Sequence, residues 1–113
     1  MRTFDSGATR DIDTGKFDYE GFLSPLVLER YAAYMHRHRK QKDGTMRDSD
    51  NWQKLFGEDH YNVCAKSLWR HFFSFWKAHR GYHTDEDIED SAMAVLFNVS
   101  AYMHKRLSDH ERT

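Results

Sequence analysis

Cysteine, proline and long apolar runs are nearly missing from this chain of 113 residues. With Cys64 as its one cysteine, it can form neither an intrachain disulfide nor a cysteine zinc cluster, and a reducing cytoplasm suits it best. No apolar run approaches the roughly 20 residues of a membrane span, and Met1–Arg10 lacks a signal-peptide core. Nor is there an excess of either charge: 17 Lys and Arg face 18 Asp and Glu, a formal net charge of -1. That balance argues against a bulk nucleic-acid binder but leaves room for a small phosphate site. No nucleophile triad, Walker loop, dinucleotide fingerprint or zincin helix is present. Only 39% of residues are hydrophobic, so the core must lean on 8 Phe, 6 Tyr and 3 Trp. The length fits one domain. The eight His are many for such a chain and are open to metal, phosphate or no ligand at all.

Three helices follow an N-terminal arm. Residues 1–22 are polar, carry three glycines and show no apolar period, which reads as an extended arm or ordered loop. Residues 23–108 read as a single helical domain and residues 109–113 as a frayed tail. Ser24-Pro25 is a helix start, with serine as cap and proline in the first turn. The first helix is predicted over 25–42, its basic end facing the negative helix terminus. A connection over 43–58 holds Asn51-Trp52, whose ring needs an apolar place or a bound partner. The second helix runs from Asp59 or Asn62 to Arg80 and stops at Gly81. Its stripe is Tyr61, Ala65, Leu68, Phe72, Phe75 and Trp76, widened by Trp69 and Phe73. Thr84 with Asp87 forms a capping-box-like start for the third helix, striped by Ile88, Ala92, Val95, Leu96, Val99, Met103 and Leu107. The fold class is all-α: a bundle of three main helices with an extended arm. The broad aromatic face of the second helix calls for a homo-oligomer, dimer or tetramer, to cover it.

Chemistry concentrates in a few residues. Asp87 and Asp90, three apart, share one face, Glu86 lies one turn before Asp90, and Asn98 lies two turns beyond it. Oxygen ligands so spaced suit Mg²⁺ or Mn²⁺, although acids in a first turn equally serve as caps. Glu29 on the first helix reads either as a metal ligand from the facing helix or as a surface acid. Arg10, Lys16, Lys40 and Arg70 are candidates for a polyphosphate clamp, against the plainer reading of a solvated face. His71 sits in an aromatic stretch, where it binds metal, takes a proton or is a satisfied buried histidine.

Taken in order, these pieces resemble a known family. Ser6-Gly7-Ala8, Arg10-Asp11, Gly15-Lys16, Leu23-Ser24-Pro25 and Leu28-Glu29-Arg30 come first. Lys40, Arg47-Asp48, Asn51-Trp52-Gln53-Lys54, Ser67, Arg70-His71, Gly81, Glu89-Asp90 and Asn98 follow. The string looks like the phage N-terminal domain of dATP/dGTP diphosphohydrolase, a MazG-like all-α group, over residues 4–104. The resemblance implies hydrolysis of a purine deoxynucleoside triphosphate, such as dGTP or dATP, to monophosphate and pyrophosphate. It implies Mg²⁺ or Mn²⁺ held by acids from two facing helices, with Asp87-x-x-Asp90 as one loose match. Around Glu29 the other acidic pair is missing, since Leu26 and Ala32 stand three away. On this reading Glu29, Asp87 and Asp90 hold metal, and Glu86, Glu89 and His71 supply a base or further ligand. Arg10, Lys16, Lys40 and Arg70 face phosphates, and Asn51, Trp52 and Asn98 face the base. The alternative is a non-catalytic phage accessory protein that binds a nucleotide or blocks a host protein.

Overall fold

A computed structural model of the chain describes residues 2–3, 5–10 and 15–111, without the side chains of Arg2 and Arg10. The packed part is helical. Two strands of two residues each, β1 (Arg2–Thr3) and β2 (Thr9–Arg10), pair antiparallel in the arm. Helices α1 (Tyr19–Phe22), α2 (Pro25–Arg37), α3 (His60–His79) and α4 (Ile88–Glu111) follow. A 3₁₀ turn over Asn51–Lys54 lies in the connection between α2 and α3. No helix among the described residues is long and apolar enough to cross a membrane.

Most helix boundaries follow from local chemistry. The Ser24 hydroxyl accepts from the Val27 N–H and Pro25 fills the first turn, as expected. At the end of α3, Gly81 takes a φ of 86°, its N–H bonds to Ala78 O, and the Tyr82 N–H bonds to Lys77 O. That is a Schellman closure, which requires the left-handed residue that glycine supplies.

Four features differ from the sequence pattern. The arm holds one helical turn, α1, capped by Asp18 through the Gly21 N–H. Helix α2 ends at Arg37 rather than at residue 42. Asp43 accepts from both the N–H and the hydroxyl of Thr45, and Gly44 sits at φ 89°. This turn folds 39–41 back on 45–47, where Gln41 N–H reaches Thr45 O and Arg47 N–H reaches Arg39 O. The third main helix, α4, begins at Ile88, not at Thr84. Thr84 lies four residues before that start and donates its hydroxyl to Glu86 O, while Asp87 accepts from the Glu89 N–H. At the other end the helix continues through 109–111, held by the Lys105–Asp109 pair at 2.9 Å.

Helices α3 and α4 form the main contact, and α2 lies against α4. The α3–α4 seam is made of small and polar side chains: Cys64, Ser91, Ala94, Asn98 and Ala101 are buried, together with His60. Small residues let two helices approach closely. The long apolar stripes expected to form the core therefore flank the seam. Trp69, Phe72, Phe73 and Trp76 on α3, and Ile88, Val99, Met103 and Leu107 on α4, remain exposed.

Candidate functional site

Helix α2 presents Arg30, Tyr34 and Arg37 on one side, spaced three and four apart. Their target is the first turn of α4. Arg30 donates from Nε to Glu89 Oε1 at 2.8 Å and from Nη2 to Asp90 Oδ1 at 2.7 Å. Arg37 donates to the same Asp90 oxygen at 2.9 Å. The Arg30 hydrogen bond, above all, holds the Asp90 carboxyl below its usual range, and Asp90 in turn raises the Arg30 guanidinium. Tyr34 sits between, its phenol pushed up by burial first and then by the charges of Glu86 and Asp90.

Beside this cluster a second pair forms across the α3–α4 turn. His71 Nδ1 donates to Glu86 at 2.9 and 3.1 Å to its two oxygens, both side chains being about two-thirds buried. Arg70, His71 and Glu86 line one cavity of about 580 Å³ with Lys77, His83 and Asp85. Three residues expected at the site thus meet in one place.

Another cavity of about 580 Å³ lies between α2, the connection and α4. Asn51 and Trp52 line it, with Tyr34, Phe97, Arg39 and Arg47. Trp52 folds back as expected: its ring meets Phe97 at 6.2 Å and His104 at 4.9 Å, both edge-on. The volume is that of a small-molecule site, and its lining combines aromatic rings with basic side chains and one acid, Asp48. Arg39 is fixed by donating to Arg47 O at 2.6 Å.

The remaining expected residues lie apart. Glu29 is exposed on α2, and Asp87 spends its carboxylate at the start of α4. Asn98 is buried in the seam, donates to Ala94 O at 2.8 Å and does not line the cleft of Asn51 and Trp52. Lys16 is exposed in the arm and Lys40 in the 40–46 hairpin. Arg10 belongs to β2, and its side chain lies outside the described residues. Among the described residues no group of three or more His, Cys, Asp or Glu is placed to hold a metal ion. Asp90 and Glu89 instead face the guanidinium groups of Arg30 and Arg37. Arg37, Arg39, Arg47 and Tyr34 are not among the site residues expected from the sequence, although the Arg30, Tyr34, Arg37 spacing is a legible helical face.

Compared with protein-family models, curated proteins and solved structures, the chain matches none.

Proposed function

We propose that the chain binds a purine nucleoside triphosphate of the dGTP or dATP class in the cleft between α2, the connection and α4. One observation carries this reading: Trp52, Phe97 and Tyr34 line the same cleft as Arg39, Arg47 and Lys54, with Asp48 as its one acid. Aromatic faces accept a flat base, and guanidinium groups pair with phosphate oxygens through two N–H bonds at once. Asn51 supplies an amide for a base edge. Binding is the step shared by a diphosphohydrolase and a non-catalytic nucleotide binder. Titration of dGTP and dATP by calorimetry tests it. Trp52→Ala is expected to weaken affinity about tenfold, roughly 1.4 kcal/mol. Absence of heat with either nucleotide ends the proposal.

Hydrolysis to monophosphate and pyrophosphate is a second reading, favoured by the resemblance and by the His71–Glu86 pair. Glu86 accepts from His71 Nδ1, which leaves Nε2 as the open ring nitrogen of a side chain that lines the same cavity as Arg70 and Lys77. Mg²⁺ or Mn²⁺ are the cofactors implied, though the described residues of one chain assemble no group of three ligands for them. Pyrophosphate release in Mg²⁺, in Mn²⁺ and in chelator separates the two readings. His71→Asn is expected to abolish release and leave binding intact. We also propose self-association as a homodimer or homotetramer through the exposed side of α3.

A further inference from the structure

Two surfaces of this chain match each other in chemistry yet do not meet. The first is segment 17–22, Phe17-Asp18-Tyr19-Glu20-Gly21-Phe22. Phe17, Tyr19 and Phe22 are 75%, 68% and 81% exposed. The segment is nonetheless ordered by itself: Asp18 caps the turn at 2.9 Å, and the Phe17 and Tyr19 rings stand edge to face at 6.2 Å. Its only charges are the acids Asp18 and Glu20. Among the described residues, α1 lies against no other element.

The second surface is the outer side of α3. Trp69, Phe73 and Trp76 are 67%, 54% and 48% exposed there. Every fully charged side chain of α3 is basic, namely Lys66, Arg70 and Lys77, and the helix contains no Asp or Glu. An acidic aromatic segment and a basic aromatic helix are complementary both in charge and in ring packing.

Within one chain they are kept apart, because α2, which continues from α1, lies against α4 and not against α3. The amount of open surface calls for a second chain. The molecule exposes 9472 Å², whereas a compact monomer of its mass exposes roughly 6,500 Å². The difference is several times the roughly 800 Å² that each partner buries in a standard interface.

We propose that segment 17–22 of one copy packs on the outer side of α3 in a second copy. In a twofold pair the exchange is reciprocal, so each arm straps the other chain. This inference rests on the self-association proposed above and adds which element covers which face.

Cross-linking between separately labelled chains tests it. Glu20→Cys and Lys66→Cys, which keep every ring, are prepared as two proteins, mixed and oxidised, the native Cys64 being buried. The expected result is a disulfide-linked pair formed at least about tenfold more from the mixture than from either protein alone. Glu20→Lys is expected to weaken association about tenfold, and Lys66→Glu with Lys77→Glu in the same chain to restore it. Light scattering of the wild type separates the two levels. A monomer at micromolar concentration overturns both self-association and the strap. An oligomer that forms no mixed disulfide, or that is indifferent to Glu20→Lys, overturns the strap alone.

Discussion

Asp90 Oδ1 accepts from two guanidinium groups at 2.7 and 2.9 Å, with its side chain 22% exposed. Removing its charge leaves Arg30 and Arg37 facing each other across an amide. Asp90→Asn is therefore expected to destabilise the fold by about 1 kcal/mol, reduced from a buried pair because solvent reaches the cluster. Urea unfolding measures it. The pH dependence has a definite sign. A carboxyl depressed in the folded state contributes fully above its unfolded value, roughly 3.9, and loses that contribution as pH falls through its folded value. The wild type should lose stability from about pH 4 downward more steeply than Asp90→Asn. Parallel acid titrations of the two proteins would refute this assignment. His71 is the contrasting residue. Its ring is aimed by Glu86 into a cavity, so its substitution should register in turnover before stability.

At the scale of elements, the α3–α4 seam depends on small side chains, and one of them is imperfectly served. The Ser91 hydroxyl is buried without a hydrogen-bond partner. Ser91→Ala removes that orphan and should raise stability by about 1 kcal/mol in thermal or urea unfolding. Gly81→Ala has the opposite sign, because a Cβ is strained at φ 86°, and should cost about 1 kcal/mol. Pro25 and Gly81 show what the sequence states openly: caps and stops are written in one or two residues, so the start of α2 and the end of α3 can be read directly. The end of α2 is harder, since the Asp43-Gly44 turn competes with a run of good helix formers and is closed by backbone pairing between 39–41 and 45–47. The core is harder still. Periodicity correctly finds an apolar stripe on each helix, but it cannot say which chain covers it. Here Ser91, Ala94, Asn98 and Ala101 occupy the seam, and the stripe of Val99 and Met103 lies beside it. The candidate site divides in the same way. Trp52 and the Arg70, His71, Glu86 group were visible as residues that need partners. The pairing of Asp90 with arginines was not, because it joins positions about 60 apart in the chain.

The whole molecule is more extended than its length requires. Its radius of gyration is 19.1 Å, against roughly 13 Å for a compact chain of this size. Among the described residues the fully buried apolar side chains are Cys64, Ala94 and Ala101, while large rings such as Phe72, Phe73 and Trp76 stay exposed. Under the self-association proposed above, further stability comes from surface that becomes buried between chains. If so, folding and association are one equilibrium, and dilution must destabilise the fold by mass action. We expect the melting temperature to fall by several degrees when protein concentration is lowered about a hundredfold, with secondary structure lost in the same transition. For a dimer such a dilution changes the unfolding free energy by about 2.7 kcal/mol, which for a domain of this length is well above the resolution of a circular-dichroism melt. Replacing Phe73 by Ser on the outer side of α3 should mimic dilution. That ring is 54% exposed within one chain, so its loss should matter little to a monomer and strongly to an assembly. A melting temperature independent of concentration, with Phe73→Ser as stable as the wild type, would mean that the open faces of α3 and α4 are tolerated by a folded monomer.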